Sequence, residues 1–310
     1  MSSAASASPQ VRAATQRVAM LSVATATILI VVKAIAWRAS DSIAILASLS
    51  DSALDLVASL ITLFAVRYAA SPPDAEHRFG HGKAEAFSSL MQGGLVFASG
   101  ALIGREAIVA LLNPHPIEHG LAGVVVMIIS IVLTLFLITA QSRVLKASGS
   151  IAIASDRAHY AADLASNIVA LAGVAAATWL GWSFVDAAAG LVVALWLIWG
   201  AISVFSDAAN QLLDRELPEA DRTRIVELAT ADPRVLGVHQ LRTRASGPYV
   251  HMQMHADLAA DISLAEAHTI MVQAENRLLE AFPAADILIH PDPRGLAEKH
   301  GGLFAESAEA

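Results

Sequence analysis

A chain of 310 residues in which 55% are hydrophobic and only 15% charged, at a mean hydropathy of +0.57, is too apolar for an ordinary soluble domain, where about a quarter of residues are charged. It has no cysteine, which excludes disulfides and thiolate metal sites and leaves His, Asp and Glu as the only strong metal ligands. The formal net charge of −8 is carried by the end of the chain: residues 1–206 hold 11 acids and 11 bases, residues 207–310 hold 17 and 9, a balance that argues against nucleic acid and mildly for cation chemistry.

In chain order, residues 1–17 are small and polar and read as a short disordered arm. Six apolar runs follow, near 18–37, 42–68, 85–112, 121–145, 150–178 and 184–206. Each is long enough for a helix rising about 1.5 Å per residue to cross a hydrocarbon core of about 30 Å. Without the alternation of a barrel, the spans must be helical, because lipid offers no partners to backbone N–H and C=O groups. Lys and Arg choose the side: Arg12 and Arg17 precede the first span, Arg67, Arg78 and Lys83 lie between the second and third, and Arg143 and Lys146 flank the fourth connection. The opposite connections have only Arg38, so both termini are expected in the cytoplasm.

Two spans carry charge where lipid would forbid it. Asp51 and Asp55 stand at i and i+4 in the second, His159 and Asp163 at i and i+4 in the fifth, each pair on one helical face. Counted along the helices, both pairs fall roughly 14–20 Å from a span end, near the bilayer middle, where a bare carboxylate costs about 3 kcal/mol. Facing each other, the four supply one nitrogen and three oxygens, a set that closes a tetrahedral Zn²⁺ site. Asp156 and Asn167 flank the second pair, as an interfacial or outer-shell acid and a ligand-orienting or helix-linking amide.

After Leu217-Pro218 the pattern changes to an amphipathic helix, two strand-like runs separated by Ser246, Gly247 and Pro248, a second helix and a short strand. This predicts a small α+β domain over 207–294 with both helices on one sheet face, and a weakly ordered tail over 295–310. His251 and His255 alternate with apolar residues on one strand, whereas His239, His268, His290 and Asp292 come from other elements and could converge only through the fold.

DSALD in the second span, HYAAD in the fifth, PPDAEHRFGHGKAE between spans two and three, and the late GVH, HADL and IHPDP together resemble the cation diffusion facilitator family, in its bacterial zinc and ferrous-iron efflux branch. The resemblance runs from Val18 to Pro293. It implies an α-helical membrane protein with six transmembrane helices over 18–206 and a cytoplasmic αββαβ, metallochaperone-like domain that binds metal and dimerises. It implies a transport site at Asp51, Asp55, His159 and Asp163, a loop site at Asp74, His77 and His81, and a soluble-domain site at His239, His255, His268, His290 and Asp292. It also implies an ion pair between Lys83 and Asp214. Gln240 departs from the acid several relatives carry, and His251 is an added imidazole. The expected activity is efflux of Zn²⁺, and of Cd²⁺, in exchange for protons by a homodimer in the bacterial inner membrane, with Zn²⁺ also regulatory; Fe²⁺ or Mn²⁺ efflux and a membrane-anchored metal sensor are the alternatives. No enzyme is expected, since no HExxH motif accompanies the closed ligand set.

Overall fold

In this computed structural model residues 9–40, 43–112, 121–180 and 183–295 are described. The chain divides into a helical unit, residues 13–146 and 150–209, and a second unit built around residues 210–295.

Six long helices precede the strands: α1 (Pro9–Ser40), α2 (Ile43–Ala69), α3 (Ala84–Leu112), α4 (Leu121–Ser148), α5 (Ile151–Leu180) and α6 (Ser183–Leu212). By length and composition α1, α2, α3, α4 and α6 can each cross a membrane. The sixth long helix, α5, is diluted by Asp156, Arg157, His159 and Asp163 in its first half, the residues that give it a role beyond anchoring. The arm expected over 1–17 is helical from Pro9 onward, because proline suits the first helical position and the Ala-rich stretch behind it holds no breaker. Likewise α6 runs on through Asp207 to Leu212, past the boundary expected at 206. The connection at 113–120 and the tail after Gly295 lie outside the described residues.

The helices meet through small side chains. Val18, Ala19, Val66, Ala152 and Ile153 form one buried cluster, and Val96, Ala162, Leu197 and Ala201 another, as expected where lipid is as apolar as the interface and close backbone approach supplies the attraction. At Gly100 a methyl would lie 3.1 Å from side-chain atoms of Leu197 and Ile198, so any larger residue there would push those side chains of α6 aside. The start of α5 is fixed from α3: the buried Glu85 carboxylate accepts from Ser150 Oγ at 2.6 Å and from the backbone N–H of Ala152 and Ile151. It supplies an anion to orphan donors at a helix N-terminus.

The second unit comprises α7 (Glu219–Ala229), β1 (Gly237–Ser246), β2 (Tyr249–Leu258), α8 (Leu264–Ala281) and β3 (Ala285–Pro293), the order the sequence predicts. The sheet runs β1-β2-β3, antiparallel then parallel. Gly247, at φ +55°, opens the two-residue turn that pairs Ser246 with Tyr249. Val250, Met252, Met254 and Leu278 are buried with Ile225 and Phe282, placing both helices on one face. The other face presents His251, Gln253, His255 and Asp257, in register with Asp286, Leu288, His290 and Asp292.

Candidate metal centres

Among the described residues three groups of His and Asp lie close enough to share an ion, with donor atoms all within 4.8 Å of one another: Asp55, His159 and Asp163; Asp74, His77 and His81; and His239, His255 and Asp292.

The first lies inside the helical unit. Asp55 on α2 faces His159 on α5, with Nε2 3.0 Å from Oδ1, and Asp163 Oδ2 is 3.8 Å from the same nitrogen. The three close up because α2 packs on α5 through alanines and serines, and because Tyr160, fully buried, exchanges a 2.8 Å hydrogen bond with Ser59 and donates to the Ser22 carbonyl. His159 Nδ1 and Asp163 Oδ2 are buried without a hydrogen-bond partner among the described residues. Such orphan polar atoms are costly unless something polar completes them. Asp51 does not join the tight group but lines the same cavity of about 290 Å³, with Lys33, Ser48, Ser130, Thr134, His159 and Asn167. Its lining runs from Leu29 and Lys33 on α1 to Ser166 and Asn167 on α5.

Toward the other end of these helices the cavity is closed by polar contacts. Asp156 is fully buried and accepts from Ser22 Oγ and Gln141 Nε2, each at 2.7 Å, and from Gln92 Nε2 at 3.4 Å. It is not exposed, as an acid at a membrane surface would be, but forms a buried hub tying α1, α3, α4 and α5.

The loop group forms between α2 and α3. Asp74 caps its own turn, Oδ1 accepting from the backbone N–H of His77 at 2.6 Å and of Glu76 at 2.9 Å, which holds its carboxyl below the usual carboxylate range. His77 Nδ1 and His81 Nε2 each lie 3.2 Å from Asp74. His81 is buried against Tyr68, with ring centroids 4.4 Å apart, whereas His77 is half exposed.

On the open face of the sheet the register sets His239 opposite His255 and His255 opposite His290. Asp292 Oδ2 lies 2.8 Å from His255 Nδ1 and 3.3 Å from His239 Nε2, while its Oδ1 is 3.3 Å from His290 Nε2. One carboxylate therefore touches three imidazoles. The backbone helps: the ladder slips between His239 and Arg242, with Gln240 at φ +50°, a bulge that re-aims His239. His268, exposed on α8, stays outside the group. Asp257 enters instead, 3.5 Å from His239. His251 sits farther along β2 and pairs with Asp286 at 3.0 Å. Lys83 belongs to the helical unit and Asp214 to the other, where its carboxylate accepts from Arg244 at 3.1 Å.

Sequence reasoning missed Lys33. Only 6% exposed, its ammonium donates to Ser52 Oγ at 2.6 Å and to the Ser48 carbonyl at 3.0 Å. A lone lysine within an apolar span was the available signal, since such a charge favours the protein interior or a helix end.

Comparison with known proteins agrees with this architecture. Residues 19–213 match the model of the cation efflux transmembrane domain, and residues 217–294 that of the cation efflux protein cytoplasmic domain. The cation-efflux pump FieF of Shewanella oneidensis is 42% identical over 88% of this chain and 92% of its own. That of Citrobacter koseri is 36% identical over 93% of this chain and 96% of its own.

Proposed function

We propose that this chain, which belongs to the cation efflux family, exports a divalent metal cation, Zn²⁺ first among them and Cd²⁺ with it, from the cytoplasm in exchange for protons. The observation that carries this reading is the Asp55, His159 and Asp163 group opening into a cavity within the membrane-spanning helices. An imidazole and carboxylates in tetrahedral reach suit Zn²⁺, with Asp51 as the fourth ligand once α2 adjusts. Ligands bind metal only when deprotonated, so protons arriving from outside release the ion and cytoplasmic metal displaces protons. With both termini cytoplasmic, the cavity would lie on the outer side of the Asp156 hub, which would serve as the inner gate. The cycle then alternates between this arrangement and its inward-open counterpart.

The loop group would collect cytoplasmic metal near the entrance. The His239, His255, His290 and Asp292 group, with Asp257 beside it, would bind regulatory metal in a homodimer joined through the soluble unit. Efflux of Fe²⁺ or Mn²⁺ is the second reading, favoured by the oxygen majority of the transport set.

The test is metal uptake into proteoliposomes under an imposed pH gradient, for Zn²⁺, Cd²⁺, Mn²⁺ and Fe²⁺. Gradient-dependent Zn²⁺ flux in the native protein, lost in Asp51→Ala and Asp55→Ala, is the expected result. Flux of Fe²⁺ or Mn²⁺ without Zn²⁺ would establish the second reading. Native liposomes that move no metal would overturn both.

A further inference from the structure

The transport cavity contains a cation of its own. Lys33, from α1, is buried on its wall and anchored to one turn of α2 through Ser52 Oγ and the Ser48 carbonyl. That turn also carries Asp51 and leads directly into Asp55. The carboxylates of Asp55, Asp163 and Asp51 line the same cavity as this ammonium. Lysine, a flexible point charge, suits such a role better than the rigid fork of arginine.

Counting charge gives this placement a meaning. With the ligands deprotonated, as metal binding requires, the three carboxylates and one ammonium that line the cavity would carry a formal charge of −2 beside a neutral imidazole, which is what one divalent ion neutralises. Without Lys33 the same cavity would stand at −3 in a region where water screens poorly and unit charges interact strongly. It would then grip a divalent ion harder and remain anionic when loaded. A transporter gains nothing from that excess, because an ion held too tightly is not released.

We propose that Lys33 is the resident counter-cation of the transport cavity, matching its charge to a single divalent ion and keeping binding weak enough for release. The inference rests on the transport reading of Asp55, His159 and Asp163. The competing role for Lys33 is mechanical, a hydrogen-bonded strut between α1 and α2, and the two predict opposite changes in affinity when the charge is removed.

The experiment uses the full-length protein in detergent with Zn²⁺ as the probe, taking the binding component lost in Asp163→Ala as that of the cavity, and the same variants in liposomes for flux. Lys33→Gln is expected to tighten the cavity component about tenfold and to lower maximal flux. Loss of a mechanical strut would instead leave binding unchanged or weaker, and a charge-keeping replacement should stay within about threefold of native. Lys33→Arg keeps the charge and should stay within the same margin even if Lys33→Gln fails to fold. Unchanged or weaker binding in Lys33→Gln overturns the proposal, as does Lys33→Arg shifted by tenfold. Native protein and Asp163→Ala with identical Zn²⁺ isotherms would instead overturn the transport reading, and the inference with it.

Discussion

The cluster among the membrane helices and the cluster on the sheet use the same donors in opposite surroundings. His159 and Asp55 are 6% and 12% exposed, whereas His239 and His255 are 35% and 18% exposed. Among the helices every charge needs a partner supplied by the chain, because desolvation is severe and attraction correspondingly strong. Lys33 meets that need for the carboxylates, and Ser22, Gln92 and Gln141 meet it for Asp156. On the sheet, water reaches the imidazoles, and only Asp292 is deeply buried, ringed by three of them. The contrast separates a site whose geometry is fixed by packing from one whose imidazoles gather around a single carboxylate within reach of water.

The sharpest way to break that comparison is to remove one imidazole from each. His159→Ala should lower gradient-driven Zn²⁺ flux by more than about a hundredfold, because even an outer partner of a metal ligand is worth about 10–100-fold. His255→Ala should leave flux within a few-fold of native while reducing the number of Zn²⁺ ions bound in equilibrium dialysis. Equal losses of flux would show that the sheet cluster is part of the transport path and end the distinction.

The two regions also differ in what holds them together. In the sheet unit, Met254 is 2% exposed within the Ile225, Met252 and Leu278 cluster, and Met254→Ala should cost about 2–5 kcal/mol in urea unfolding of residues 210–295. In the helical unit a polar contact does comparable positional work. Glu85→Gln keeps the shape but removes the anion at the start of α5, and should cost about 1 kcal/mol, read as a lower thermal midpoint of the full chain in detergent. No change there would mean that α5 is placed by its alanine contacts alone.

How much of this was legible beforehand depends on where the information resides. The six helices, the αββαβ order and the i, i+4 pairs follow from local periodicity, and Asp55, His159 and Asp163 meet as expected. What a sequence does not carry is rotation and register. Asp51 shares a helix face with Asp55 yet lines the cavity one turn away from the group, and His268 is carried off by its position on α8. Asp257 enters because register sets it opposite Asp292. Lys33 escaped notice since nothing local distinguishes a lysine that anchors to a neighbouring helix from one that reaches an interface. The N-terminal arm was misjudged for a different reason: small polar residues signal disorder by composition, whereas alanines behind a proline propagate a helix that tertiary packing then secures.

The smallest predicted effect lies at the surface of the sheet unit. Asp232 accepts from the backbone N–H of Arg234 at 3.0 Å and from its guanidinium at 2.6 Å, and that guanidinium also donates to Gln273 Oε1 on α8 at 2.7 Å. The Arg234 side chain and N–H hold the Asp232 carboxyl at about 2, below the value near 3.9 of an unfolded chain. A carboxyl depressed in the folded state stabilises it fully above the unfolded value and loses that contribution as pH falls from about 4 through about 2. Arg234 is 46% exposed, so solvent screens the pair and the gain should be well under about 1 kcal/mol. Asp232→Asn should therefore make residues 210–295 slightly less stable than native at pH 7, and the two urea midpoints should converge as pH approaches 2. A gap that persists at pH 2 would place the effect in the turn's hydrogen bonds to backbone, which asparagine alters at any pH, and not in the charge of Asp232.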